Sequence, residues 1–166
     1  MAETVTFLPP AGLIALRGRP DDRAFLDAAA GVLGAAPPVE PNTAVLGPPA
    51  IYWLQPTSWL VVARPEGVED LVARLREAVG ASGTAVDVTD ARVGYAVAGP
   101  DAVRLLSKGC GLDLHPRVFP AGRSALTAFA QLHTLIVKRD EAPTFHLYVA
   151  RSAQRHLEAW FQAAGA

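Results

Sequence analysis

Apolar residues recur along this chain with two periods. Val86 and Val88 alternate with Asp87 and Thr89, and Val93, Tyr95 and Val97 alternate with small residues. That period of two is expected of half-buried strands and predicts two of them. Gly99-Pro100-Asp101 stops the second strand and opens a helix, with Pro in a first turn that needs no N–H and Asp near the positive end of the helix dipole. Upstream, Leu13 to Leu16 reads as a short strand. Asp21-Asp22 opens a helix with Phe25, Leu26, Ala29, Val32 and Leu33 on one face. Ile51 to Leu54 and Trp59 to Ala63 flank Gln55-Pro56-Thr57-Ser58 as a β-hairpin. Val68, Leu71, Val72, Leu75 and Val79 mark an amphipathic helix packed on one side only. Downstream, Val103, Leu106 and Cys110 form the inward face of a short helix that Gly109 and Gly111 help to end. Ala125 to Lys138 alternates as one or two strands, and Phe145, Leu147 and Val149 mark another. A final helix follows Ser152, with Ala153, Leu157, Trp160, Phe161 and Ala164 on its apolar face.

Between these elements, residues 1 to 10 read as a loose arm. The Pro-rich segment 36–50, with Pro37, Pro38, Pro41, Pro48 and Pro49, reads as a long surface loop, since Pro lacks the donor N–H of a helix or central strand. Helices interleaved with hairpins predict an α+β fold with helices packed on a mostly antiparallel or mixed sheet. The two halves also echo each other. Leu60-Val61-Val62-Ala63-Arg64 precedes one helix as Leu147-Tyr148-Val149-Ala150-Arg151 precedes another, and Gly18-Arg19-Pro20-Asp21 resembles Gly99-Pro100-Asp101. Both halves read as strand, helix, hairpin, helix. The expected organisation is a single domain over 1–166 with half-repeats at about 12–85 and 86–163.

Composition narrows the function classes. The chain has 166 residues, 51% hydrophobic and 19% charged, with a formal net charge of −1. A domain this apolar is expected to have a partner. Without a Lys/Arg cluster it lacks the positive field that nucleic acid or an anionic membrane demands. Cys110 is the single cysteine and has no partner for an internal disulfide. The N-terminus has no basic region ahead of an apolar stretch, and no apolar run approaches the ~20 residues of a membrane span. A cytoplasmic protein is the expectation.

No constellation of reactive residues stands out. His115, His133, His146 and His156 lack the spacing that brings two ligands to one metal from one element. There is no Gly-x-x-x-x-Gly-Lys-Ser/Thr run, and Gly109-Cys110-Gly111 follows a helix, whereas a dinucleotide loop follows a strand. No Ser lies in a Gly-x-Ser-x-Gly turn. Cys110, with Arg104 and Lys108 near it in sequence, reads as a small core residue. Asp87 and Asp90 could act as a carboxylate pair, although turn roles at strand ends explain them better. Trp53, Trp59 and Trp160 read as core or interface anchors. Arg17, Arg64, Arg117 and Arg123 read as solvated or interface arginines. The expectation is no catalytic, cofactor-binding or metal site in this chain, with Trp53, Trp59 and Arg123 as candidate interface residues.

Several stretches together carry a family resemblance. Val86-Asp87-Val88-Thr89-Asp90, Val97-Ala98-Gly99-Pro100-Asp101-Ala102 with Leu105-Leu106, Leu112-Asp113-Leu114, and Phe119 to Thr127 resemble the folate-binding aminomethyltransferase superfamily. More narrowly, with Trp59 to Val62, Lys108-Gly109-Cys110 and the closing Phe145 to Trp160 segment, the chain resembles the gamma-subunit family of heterotetrameric sarcosine oxidases over roughly residues 50 to 163. The resemblance implies a fold like the N-terminal domain of aminomethyltransferases. It also implies a small subunit of a bacterial flavoenzyme that oxidises sarcosine to glycine, with hydrogen peroxide and formaldehyde or methylenetetrahydrofolate as products. In such assemblies FAD, FMN and NAD belong to the larger alpha and beta subunits, and the expected partners are the alpha, beta and delta subunits, with tetrahydrofolate handled there.

Two departures bear on catalysis. Where the aminomethyltransferases carry an acidic pair in the second half of the domain, this chain reads Gln131-Leu132-His133-Thr134-Leu135-Ile136-Val137. Its 166 residues are also expected to be too few to supply the further domains that wall their folate pocket. The expectation is therefore a non-catalytic subunit; the rival readings are a free-standing folate-binding or one-carbon-transfer protein and a generic interaction domain.

Overall fold

The structure is a computed structural model that describes residues 4–165. The chain forms two compact units, Pro10–Thr89 and a second that joins the N-terminal strand β1 (Thr4–Phe7) to the chain from Asp90 onward. The fold is α+β, as expected, but the described residues form two five-stranded sheets instead of one, and every strand pair among them is antiparallel.

The first unit runs β2 (Gly12–Gly18), α1 (Arg23–Leu33), β3 (Ala44–Val45), β4 (Ala50–Gln55), β5 (Ser58–Ala63), α2 (Val68–Val79) and β6 (Gly83–Asp87). Its strand order is β3-β4-β5-β2-β6. Asp22 caps α1 by accepting a hydrogen bond from the Phe25 N–H, and Gly34 ends the helix in the left-handed conformation, the cap chemistry that Asp and Gly favour. Glu69 and Asp70 occupy the first turn of α2, where the helix dipole welcomes negative charge. Phe25, Ala29 and Leu33 of α1 join Val72, Leu75 and Val79 of α2 over Ile14, Leu16, Trp59 and Val61 of the sheet.

The second unit runs β1, β7 (Arg92–Ala98), α3 (Ala102–Ser107), β8 (Ser124–Phe129), β9 (Leu132–Lys138), β10 (Thr144–Ala150) and α4 (Gln154–Ala164). Its strand order is β1-β7-β10-β9-β8. Val97, Phe145, Leu147 and Val149 of the sheet meet Leu105 and Leu106 of α3 and Leu157 and Phe161 of α4. The alternation at Phe145, Leu147 and Val149 thus marks the core face, as the sequence predicts.

The two sheets share one plan: β2, β4 and β5 take the places of β7, β9 and β10, and β3 that of β8. The remaining edge is filled by β6 after α2 in one unit and by β1 in the other. Residues 4–7 of the expected loose arm are a strand, held to β7 from Thr4↔Ala98 to Phe7↔Tyr95; residues 1–3 lie outside the described residues. The Pro-rich segment is tied down as well: β3 pairs with β4, Thr43 Oγ1 donates to Glu40 O, and Trp59 Nε1 donates to Pro38 O at 2.7 Å.

In β6 the buried residue is Ala85, 1% exposed, and Val86 is 46% exposed. The strand therefore turns the opposite face inward from the one that Val86 and Val88 predict. An edge strand feels its neighbours on one side only, so the inward position tolerates a small residue. Pro100 lies before α3, and the N-cap Asp101 makes no side-chain cap bond; its Oδ1 accepts from Arg104 Nε instead. Gly109 does not end a helix through a left-handed turn. A Cβ there would lie 2.5 Å from the Phe129 ring, so glycine is required because an aromatic ring rests on the backbone.

Candidate functional site

Trp53 and Trp59 are directly opposed on β4 and β5, so their side chains lie on one face. Trp59 is 0% exposed. Its ring stacks on Phe25 with centroids 5.7 Å apart, and its N–H is satisfied by Pro38. It is a core residue with no surface of its own to offer. Trp53 is half-buried and packs against the same core. Arg123 belongs to the other unit, half-buried in the turn before β8, where its backbone N–H donates to Pro120 O and its carbonyl accepts from the Lys138 N–H.

The residues weighed for chemistry have structural work. Asp87 Oδ1 accepts from the Thr89 N–H at 2.8 Å, and hydrogen bonds from the Thr89 side chain and backbone hold the Asp87 carboxyl below the ordinary aspartate range. Asp90 lies in the short 3-10 turn Thr89–Ala91, its backbone carbonyl accepting from Arg151 Nε. Cys110 Sγ lies 3.7 Å from Leu106 O, the carbonyl one helical turn back. His115 Nδ1 accepts from the Arg117 N–H, and His156 Nε2 lies 2.9 Å from Ala130 O. Among the described residues no three His, Cys, Asp or Glu side chains are placed to hold a metal ion.

Three features of the second unit carry no sequence signal. Lys138 is 2% exposed, and its ammonium donates to the carbonyls of Asp140 and Ala142 in the β9–β10 turn and lies 5.2 Å from the centre of the Phe145 ring. Tyr95, on β7, donates its hydroxyl proton to Glu158 Oε1 at 3.0 Å; burial first, then this carboxylate, keeps the phenol protonated well above its ordinary range. His146, on β10, has a buried Nδ1 without a hydrogen-bond partner among the described residues. Tyr95 meets a residue of α4 that lies 63 positions away, and Lys138 folds back onto the carbonyls of its own turn, so neither spacing nor residue type announces them.

His146 makes a pH prediction. Burial, with a smaller contribution from Arg139 against an opposing one from Asp140, pushes its pKa down from 6.5 to about 4. The unfolded chain therefore binds more protons between those values, and stability falls as pH drops from 6.5 toward 4. At about 1.4 kcal/mol per pKa unit, discounted for the ring's partial exposure, the loss is on the order of 1–2 kcal/mol. Urea unfolding at pH 7 and pH 4.5 should show it, and His146→Leu should flatten the dependence. An unchanged slope in that variant would assign the acid sensitivity to other groups.

Known proteins resemble this chain along most of its length. The description "Sarcosine oxidase, gamma subunit family" matches residues 17–166. The sarcosine oxidase subunit gamma of Corynebacterium sp. (strain P-1) is 33% identical over 112 residues, which are 67% of this chain and 54% of that protein. The chain thus spans about half the length of the curated relatives it matches. Among solved structures, heterotetrameric sarcosine oxidase from Corynebacterium sp. U-96, in complex with pyrrole 2-carboxylate, has a chain that superposes with a TM-score of 0.90 and 26% identity, covering 98% of this chain and 83% of that one. Aminomethyltransferase T of the glycine cleavage system from Bartonella henselae superposes with a TM-score of 0.70 and 16% identity over 96% of this chain and 45% of that one. At that identity it shares the fold, which is the one the aminomethyltransferase resemblance implies. With a family match from Arg17 to the last residue, this chain belongs to the sarcosine oxidase gamma subunit family.

Proposed function

We propose that this chain is the non-catalytic gamma subunit of a heterotetrameric sarcosine oxidase that demethylates sarcosine to glycine, with hydrogen peroxide and formaldehyde or methylenetetrahydrofolate as products. The observation that carries this reading is the likeness, over 98% of the chain, to a chain of a heterotetrameric sarcosine oxidase. It is supported by the engagement of Asp87, Cys110 and His115 in local turn and helix contacts and of His156 with the backbone of the β8–β9 turn. The partners are the alpha, beta and delta subunits in the cytoplasm, and FAD, FMN, NAD and tetrahydrofolate are held by them. Among the described residues no helix is long and apolar enough to cross a membrane.

Within the assembly the chain acts as one aminomethyltransferase-like domain with two half-repeats. Trp53 and Arg123 are its candidate contact residues, and Trp59 supports Trp53 from across the hairpin. Co-expression with the large flavin-bearing subunits tests the assignment. The chain should co-purify with them in an assembly that oxidises sarcosine. The chain alone should release no peroxide from sarcosine and should show no useful affinity for tetrahydrofolate by isothermal titration. Sarcosine oxidation by the isolated chain, or failure to co-purify, would overturn it.

A further inference from the structure

A cleft of about 290 Å³ lies in the first unit, at the end of the sheet where β2 stops and β5 and β6 begin. β2 brings Arg17 and Arg19 to it, the turn between β4 and β5 brings Thr57, and residues 81–84, which lead from α2 into β6, form a third side. The register explains the grouping. Leu16 is fully buried in the core, so Arg17, the next residue of the strand, turns to the other face. It stands directly opposite Thr84 on β6. The Gly18 N–H donates to Thr57 O at 3.2 Å, which ties the hairpin turn to the same strand end. Gly18 and Gly83 are also paired. A Cβ on them would lie 2.4 and 2.6 Å from the buried Phe25 ring, so this part of the wall is bare backbone backed by a fixed aromatic side chain.

The charge in the cleft is unbalanced. No acidic side chain lines it. Arg19 is already engaged, its Nε and Nη2 donating to the two carboxylate oxygens of Asp21 at 3.0 and 2.7 Å, and Ser82 Oγ donates to Val79 O. Arg17 differs: among the described residues its guanidinium has neither an ion pair nor a hydrogen bond, and the hydroxyls of Thr57 and Thr84 have no partner either. One planar fork of donors and two hydroxyls therefore share one concave surface. A guanidinium fork matches the two oxygens of a carboxylate, and a single unmatched positive charge suits a single negative one. A phosphate dianion calls for a second free cation, and Arg19 is held by Asp21.

We infer that this cleft binds a small monocarboxylic acid, with the Arg17 guanidinium holding the carboxylate through paired N–H donors and the Thr57 and Thr84 hydroxyls meeting polar groups on the rest of the molecule. The site lies wholly within the first unit and does not depend on the assembly reading. Arg17 and both threonines are exposed, so the entrance is open to water and binding is weak and rapidly reversible.

Acetate and glycolate titrated into the isotopically labelled full chain at constant ionic strength test this by NMR. The backbone amides of Gly18, Thr57, Gly83 and Thr84 should shift together along one saturable curve. Arg17→Gln should weaken binding at least about tenfold, the scale of a lost charge-assisted hydrogen-bond pair, and should leave the unfolding midpoint unchanged because the side chain is exposed. Glycolate, which adds a hydroxyl to acetate, should bind more tightly than acetate, and Thr57→Val with Thr84→Val should abolish that preference. Shifts that do not saturate, shifts that chloride reproduces, or an unchanged curve in Arg17→Gln would overturn the site. Equal binding of glycolate and acetate overturns the role of the hydroxyls, and tighter binding of inorganic phosphate than of acetate overturns the assignment to carboxylates.

Discussion

Trp59→Ala is expected to lower the free energy of unfolding by about 3–5 kcal/mol, the range for deleting a large buried aromatic. The ring is completely buried, stacks on Phe25, and lies in the core beside Ile14, Ile51 and Val61. The local packing cannot close readily over the gap. The Phe25 ring is pressed against the backbone of Gly18 and Gly83, where an added Cβ would lie 2.4 and 2.6 Å from it. The indole N–H also holds the Pro-rich segment through Pro38 O. Trp59→Phe should therefore cost less, about 1–2 kcal/mol from the lost hydrogen bond and smaller ring. It should also raise amide exchange selectively around residues 38–45. Chemical denaturation of the two variants measures the difference. If Trp59→Ala left stability intact and acted only on assembly, the side chain would be an interface anchor instead of a core residue.

Phe129→Ala should produce a loss of similar size, about 3–5 kcal/mol, in the second unit. The Phe129 ring is 0% exposed and meets Trp160 edge-on at 4.8 Å and Phe161 at 6.1 Å. The aromatic contacts continue from Phe161 to Tyr95 and from Tyr95 to Phe7. Aromatic pairs of this kind add to area burial, so truncation removes both. Gly109→Ala attacks the same ring from the other side, since the new methyl must displace it, and should cost about 1–3 kcal/mol. Trp160 fluorescence should report both substitutions directly. A Phe129→Ala midpoint unchanged from the parent would mean that the unit repacks around the gap.

The position of Phe129 also shows where sequence patterning runs out. The β8–β9 turn places Ala130 at φ 50° and Gln131 at φ 66°, a left-handed conformation that costs non-glycine residues roughly 1–2 kcal/mol each. No Asn-Gly or Gly-Gly marks the turn, so the alternation from Ala125 to Lys138 left open whether one strand or two was present. The turn is held from outside: the Ala130 N–H donates to Gly109 O, and Ala130 O lies 2.9 Å from His156 Nε2. These are partners about 20 to 26 residues away, invisible to any local rule.

The sequence by itself determined every α-helix and most of the strands, because each buries one face of a periodic pattern within its own span. The 3.6-residue period from Val68 to Val79 and the alternation at Phe145, Leu147 and Val149 are properties of the segment alone. It also determined the family, since its motifs lie in linear order. Only the tertiary structure decided that there are two sheets, and that a short strand near the N-terminus completes the second. It also decided that Ala85 turns inward instead of Val86, and that Trp59 is core while Phe7 is exposed. Each of these depends on which strand lies alongside which. Pairing across many residues is set by the closing of the whole sheet, where burial and backbone hydrogen bonds of distant segments are satisfied together. That β1 is an edge strand among the described residues follows from the same cause: a strand's own sequence does not say whether it has one neighbour or two.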